Sequence, residues 1–393
     1  MAIPHDEWQR KQIESLVSSM SLQEKSSQVL ITCIDGNDRF HPYLYRHFRD
    51  VIPGAVLLFG YNIAGGPEAV FDYIASCNAA FQSLGARVPV LFGIDNEGGD
   101  VFRLGSIGTR LPSAKTVAEN FSPAEACELY RQSAVQLAEL GITLSFSPVA
   151  EILTDENRAF LGTRSFSSSL DTVVRYSEAA ISAGSSAGII NAVKHFPGNS
   201  ADDPHFGIPV LDISPEEFET VYLAPFRALI PEYADAILVA HSIIPIIDPD
   251  TPFCLSKKGV TGILRKNLNY NGLVITDDIS MQALARNGYS PVDAAVAALE
   301  AGCDMIMTSE TNIRKLSDAI KNRAETNGDF MFRLDEAVTR ILTAKQSLGL
   351  VKTSLQRYSE SRIYNNTEKI FNAERYYESV RRGNEILERK NDS

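Results

Sequence analysis

Residues 272–278 read Gly-Leu-Val-Ile-Thr-Asp-Asp. Leu273, Val274 and Ile275 follow one another without a polar residue between them. A strand made from them is apolar on both faces, the pattern of a parallel sheet covered by helices rather than of a sheet with one face in water. The run then ends on two carboxylates, Asp277 and Asp278. Seven further runs of this type lie along the chain: QVLITCI (28–34), GAVLLFG (54–60), VPVLFGID (88–95), ITLSFSPV (142–149), IINAVKHF (189–196), AILVAHS (236–242) and DMIMTSE (304–310). Helix-patterned segments alternate with them, at 67–84, 122–140, 170–187, 214–230, 257–268 and 290–301. Three of these open alike, with Ser122-Pro123 and Glu125, Ser214-Pro215 and Glu217, and Ser290-Pro291 and Asp293. That order predicts a capping box, with proline in the first helical position. A last helix over 334–348 is expected to stop at Gly349.

Eight strands, each followed by a helix or a helix-sized gap, predict an α/β protein built as a (β/α)8 TIM-type barrel. A doubly wound open sheet has the same alternation, but no GxGxxG follows a strand. The segment from Lys352 onward is polar. Its apolar residues Ile370, Phe371, Tyr376, Tyr377, Val380, Ile386 and Leu387 are spaced for one or two amphipathic helices. The expected organisation is a catalytic barrel over 1–350 and a C-terminal helical extension over 351–393, packed on the barrel or on a partner subunit.

Composition narrows the function. The chain has 393 residues, 44% of them hydrophobic, enough to bury a sizeable core. Its formal net charge of −12 excludes a nucleic-acid partner, which would demand a basic face, and an anionic membrane surface. No apolar run is long enough to cross a bilayer, and the first residues, MAIPHDEWQRKQIESLV, contain no apolar signal core. Cys33, Cys77, Cys127, Cys254 and Cys303 are odd in number, widely spaced and set in apolar runs. They read as reduced thiols. A cytoplasmic protein, monomer or homodimer, is expected. No Cys/His spacing suits a metal, and no metal or other cofactor is expected.

The active site of a barrel lies at the C-terminal ends of its strands. There the third run delivers Asp95-Asn96-Glu97-Gly98-Gly99, the fifth Lys194-His195-Phe196-Pro197-Gly198, the sixth His241-Ser242 and the seventh Asp277-Asp278. Singly, each has an ordinary reading: Asp95 as a turn cap, either histidine as a satisfied core residue, the aspartates as a strand end in water. Ionisable groups straight after apolar runs are costly unless paired or used, and four strands doing this at one end form a constellation. The polar loop 199–209 follows the fifth run and contains Asp203-Pro204-His205. A carboxylate beside an imidazole fixes its tautomer and raises its basicity, as a proton shuttle requires. Pro204 disfavours helix at Asp203.

These segments resemble glycoside hydrolase family 3, specifically its single-domain bacterial exo-β-N-acetylglucosaminidases of cell-wall recycling. The resemblance spans about residues 25–350. It rests on IDNEGG (94–99), KHFPG (194–198), the D-x-H loop running into IPVL (208–211), AHSIIP with IDPDTP (240–252), and GLVITDDISM with AGCDM (272–305). It implies a retaining, two-step β-N-acetylhexosaminidase acting on a small carbohydrate such as a muropeptide or chitooligosaccharide. On the family's pattern Asp277 is the nucleophile, and His205 is the general acid/base with Asp203 as its partner. The sugar-binding positions fall on Asp95, Arg103, Arg164 (in GTRSF), Lys194 and His195. Such a reaction needs a carboxylate below the anomeric carbon and a proton donor at the leaving oxygen. The cationic side chains would also help keep Asp277 ionised. Two-domain β-glucosidases of the family take the acid/base from a second domain. A chain of this length is expected to use the loop instead.

The sequence departs from the pattern at Asp100, where arginine is common, at Asn199-Ser200, where His-Gly is common, and at Pro204, often serine. These positions bear on the leaving-group side and on loop motion. The resemblance leaves open a β-glucosidase or β-xylosidase, a phosphorylase in which phosphate replaces water, and a non-catalytic sugar-binding barrel. A metal-dependent amidohydrolase barrel would suit His195, His241 and Asp277, but it commonly needs an HxH pair on the first strand. Residues 28–36 contain no histidine.

Overall fold

The computed structural model describes residues 7–207, 209–351 and 370–391. Its strands are β1 (Leu30–Cys33), β2 (Ala55–Leu58), β3 (Leu91–Ile94), β4 (Asn96–Gly98), β5 (Val101–Phe102), β6 (Leu144–Ser145), β7 (Ile190–Phe196), β8 (Ala236–Val239), β9 (Leu273–Thr276) and β10 (Ile306–Met307). All but β4 and β5 form one parallel sheet in the order β10-β1-β2-β3-β6-β7-β8-β9. Its two ends meet through the parallel bridge Ile275–Met305. There Met305 N–H donates to Val274 at 3.1 Å and Thr276 N–H to Met305 at 3.0 Å. The sheet closes on itself as a (β/α)8 barrel, so the open-sheet alternative is excluded. Every residue of the eight barrel strands is buried, which is why their sequences are apolar without alternation.

The helix starts follow the local chemistry. Ser122 and Glu125 form a reciprocal capping box ahead of the helix Pro123–Leu140. Ser214 and Ser290 each accept the backbone N–H three residues on. At Ser290 the shorter Asp293 side chain accepts the serine hydroxyl at 2.6 Å. The helix expected over 214–230 contains a π turn, Phe218–Tyr222, just before Pro225. Proline has no N–H to donate, and the ladder locally widens, Leu223 N–H reaching Phe218 at 2.8 Å. The segment expected over 257–268 is likewise a π-helix, Lys258–Asn267. The helix expected over 334–348 begins earlier, as Gly328–Ser347, because the Asn327 side chain caps it by accepting from Phe330 N–H at 2.9 Å. It ends as expected with Gly349 in the left-handed region, at φ 70°. All five cysteines are free, and Cys127 is only half-buried, since it lies outside the apolar stripe of its helix.

The first half of the tail expected to be helical, 352–369, lies outside the described residues. The second half forms the helix Ala373–Asn391, which packs along Pro123–Leu140. Tyr376 is fully buried and donates its hydroxyl to the Ile107 carbonyl at 2.8 Å. Arg375 pairs with Glu139 and Lys390 with Glu125, each at 2.9 Å.

Candidate active site

Asp95 directly follows β3, and the hairpin of β4 and β5 rises from it. Asn96 pairs with Phe102 in this hairpin, so Asp95 and Arg103 flank its base from the two sides. The turn needs its glycines. Gly98 has φ 101°, and a Cβ there would stand 2.2 Å from the Pro112 carbonyl oxygen. The hairpin was not legible in the sequence. It aims Glu97, which carried no assigned role, into the barrel mouth.

Lys194 and His195 are consecutive, yet both side chains point into the same buried network. The register between β7 and β8 shifts between Val193 and Phe196, a bulge that re-aims the two side chains. Lys194 Nζ lies 2.8 Å from Asp95 Oδ1 and 2.6 Å from Glu97 Oε1. Arg164, on a 3-10 turn after β6, grips Glu97 with two parallel bonds of 2.8 and 2.9 Å. Its Nη2 lies 3.3 Å from His195 Nε2. On the other side of the ring, His195 Nδ1 is 2.6 Å from Glu151 Oε1. Glu151 is held beside β7 because Ala150 N–H donates to the Lys194 carbonyl at 2.7 Å. Asn199, one of the departures from the family pattern, donates its backbone N–H to Glu151 Oε2 at 2.7 Å.

Burial raises the pKa of Glu97, but Lys194 and Arg164 outweigh it and hold the carboxyl at about 2. Burial likewise works against the Lys194 ammonium, and Asp95 and Glu97 more than restore it. Arg103 sits in the same region, and its buried Nε–H has no hydrogen-bond partner among the described residues. A buried donor left open in this way suits a ligand hydroxyl or carbonyl.

Asp277 follows β9 directly. Burial pushes its pKa up, while His241, His195, the backbone N–H of Asp278 and Lys194 pull it down further, so it is an ionised carboxylate. His241, fully buried, is held by the Asp278 carbonyl at 2.9 Å from its Nε2. Asp203 and His205 form their pair: His205 Nδ1 is 2.7 Å from Asp203 Oδ1, and the same oxygen accepts the His205 backbone N–H at 2.9 Å. A carboxylate only accepts, so Nδ1 carries a proton and Nε2 is left to exchange one. This pair is exposed, the His205 side chain by 59%. Pro204, at its centre, is buried and accepts from Ala283 N–H at 3.2 Å, which ties the loop to the segment after β9.

The structure thus brings Asp95, Lys194, His195 and Arg164 into one hydrogen-bonded network. Arg103 stands at the hairpin base, Asp277 is within their electrostatic reach, and the Asp203–His205 pair stands on its own loop. Sequence reasoning assigned no role to Glu97 or Glu151. Each follows an apolar run closely, and that was the available signal. No group of acidic, histidine and cysteine side chains among the described residues has metal-binding geometry. No helix among them is long and apolar enough to cross a membrane.

Comparison with known proteins identifies the family to which this barrel belongs. The family model described as Glycosyl hydrolase family 3 N terminal domain matches residues 22–344. A beta-hexosaminidase of Nitrosomonas eutropha is 34% identical over 262 residues, covering 65% of this chain and 73% of that protein. A beta-hexosaminidase of Tolumonas auensis is 33% identical over 295 residues, covering 70% and 85%. The solved glycoside hydrolase family 3 beta-N-acetylglucosaminidase of Paenibacillus sp. superposes with a TM-score of 0.80 at 28% identity, covering 94% of this chain and 69% of that one. The barrel, its strand-end network and these relatives together establish that the chain belongs to glycosyl hydrolase family 3.

Proposed function

We propose that the protein removes terminal, non-reducing, β-linked N-acetylglucosamine from muropeptide or chitooligosaccharide substrates by a retaining, two-step displacement. Asp277 attacks the anomeric carbon and forms a covalent glycosyl ester while the bond to the leaving oxygen breaks. His205 Nε2–H gives that oxygen its proton, then takes one from the water that releases the sugar. Asp203 holds the His205 Nδ1–H and favours the cationic ring that forms. Asp95, Arg103, Arg164, Lys194 and His195 hold the sugar hydroxyls, and a loop movement carries His205 to the leaving oxygen.

The observation that carries this reading is the 2.7 Å Asp203–His205 bond. A single ionised carboxylate such as Asp277 can attack but cannot protonate, and this pair supplies the missing function. The acetamido preference is supported by the relatives, which are named beta-hexosaminidases. Five free thiols support a reducing, cytoplasmic setting.

The test is hydrolysis of paired nitrophenyl substrates, the β-N-acetylglucosaminide against the β-glucoside. Wild type is expected to prefer the acetamido sugar. Asp277→Ala is expected to lose turnover with the fold intact, and His205→Ala to be impaired far more on poor leaving groups than on nitrophenolate. A preference for the glucoside moves the protein to β-glucosidase. Equal loss on both leaving groups removes His205 as the proton donor. Running the assay with inorganic phosphate and looking for the sugar 1-phosphate separates hydrolysis from phosphorolysis.

A further inference from the structure

The proposed chemistry uses strand ends from β3 round to β9 and leaves the ends of β1 and β2 without a role. The segments after those two strands hold Tyr43 and Tyr61 in solvent, 42% and 51% exposed. Neither ring is loose. Tyr43 donates its hydroxyl to Asp35 Oδ2 at 2.6 Å, and this bond pushes its pKa up to about 12. Its ring stacks on His41, with centroids 6.0 Å apart and planes 20° from parallel. Tyr61 stacks on Phe59, at 5.6 Å and 15°. The Asn37 side chain, two residues after Asp35, donates to the Tyr61 carbonyl at 3.3 Å, so both tyrosines belong to one patch around Asp35, and burial is the first cause that pushes the Tyr61 hydroxyl up to about 12.

The patch stands on a fixed base. Asn62 is fully buried beneath it, donating to the Ile34 and Gly36 carbonyls at 3.0 and 2.7 Å and accepting from Phe59 N–H at 2.9 Å. One side chain therefore fixes the loop after β1 to the loop after β2. The patch also adjoins the reaction centre. The Cys33 thiol, at the end of β1, donates to the Ser309 carbonyl at 2.6 Å. Ser309 N–H in turn donates to Asp278 Oδ1 at 3.1 Å, and Asp278 N–H donates to Asp277 Oδ1 at 2.8 Å.

Rigid, exposed aromatic faces offer contact area at little ordering cost, and tyrosine adds a polar edge. A carboxylate at that edge accepts hydroxyl hydrogens. A flat apolar face bordered by hydrogen-bonding groups is complementary to a pyranose ring, whose C–H groups form its faces and whose hydroxyls form its rim. We propose that Tyr43 and Tyr61, with Asp35, form the subsite for the sugar ring of the leaving group. The inference rests on the glycosidase reading above and extends it to the leaving-group side, where the sequence departs from the family pattern.

The test compares N,N′-diacetylchitobiose, whose leaving group is a sugar, with N-acetyl-β-glucosaminyl fluoride, whose leaving group has no ring. Tyr43→Ala and Tyr61→Ala are each expected to lower kcat/KM for chitobiose roughly tenfold and for the fluoride by less than about twofold, while Tyr61→Phe keeps most of the chitobiose rate because it keeps the face. Equal loss on both substrates, or no loss on chitobiose, overturns the subsite. If wild type turns over neither substrate, the glycosidase reading fails instead. Calorimetric binding of chitotetraose then decides the subsite: weaker binding in the alanine variants supports it, and unchanged or absent binding overturns it.

Discussion

Glu97 is 5% exposed and shares its two oxygens between Arg164 and Lys194. With its pKa held near 2 against an ordinary 4.5, ionised Glu97 favours the folded state. The sign follows from linkage: the contribution is complete above about pH 4.5 and fades as pH falls toward about 2, and by order of magnitude it is about 3 kcal/mol. Glu97→Gln leaves the buried Lys194 and the half-buried Arg164 short of charge and is expected to destabilise the protein by about 3–5 kcal/mol at pH 7. The gap between wild type and variant, measured by chemical unfolding, should narrow as pH falls through that window. A constant gap down to pH 3 would show that the charge of Glu97 is not what matters. The sequence displayed Glu97 in plain view within IDNEGG but could not give it a partner. Lys194 is 97 positions away in the chain, and only the assembled sheet, with β6 alone between them, brings the end of β3 close to the bulge in β7.

At the scale of elements, the helix Ala373–Asn391 shows what an amphipathic pattern leaves open. The spacing of Tyr376, Val380 and Leu387 marks an apolar stripe, but a stripe does not say what it faces. The structure sets this helix on Pro123–Leu140 and on the segment that follows Arg103, with Gly383 as the point of closest approach. A Cβ at Gly383 would stand 2.4 Å from Thr109 Oγ1, which Gln136 holds in place at 2.9 Å. Gly383→Val is therefore expected to cost about 1–3 kcal/mol by overpacking, whereas Arg381→Ala on the exposed side should change stability by less than about 0.5 kcal/mol. Urea midpoints at constant slope would check both. Equal effects would mean that this helix does not bear on the fold through Gly383.

For the whole molecule, closure is the decisive event, and Asp304 sits at the seam. Fully buried just before β10, it accepts Val274 N–H from β9 at 3.0 Å and pairs with Arg265, Arg333 and Arg340 at 2.5, 2.6 and 3.2 Å. Burial raises its pKa and the three guanidinium groups more than reverse that. Asp304→Asn removes the carboxylate shared by three arginines, leaving Arg333 only its longer 3.7 Å pair with Glu336, and is expected to destabilise the protein by about 3–5 kcal/mol. Its denaturant midpoint should fall accordingly, and an unchanged midpoint would remove the seam role. By itself, the sequence determined the strand and helix alternation, the capped helix starts, and the strand ends where charged residues collect. Those are short-range matters, set by periodicity, by side-chain bonds to nearby backbone, and by the cost of burying a charge. Only the tertiary structure decided that the sheet closes, that consecutive Lys194 and His195 both turn into one network, and that Glu97, Glu151 and Asp304 have partners. Those contacts join residues tens to hundreds of positions apart, and nothing local in the chain encodes which of them meet.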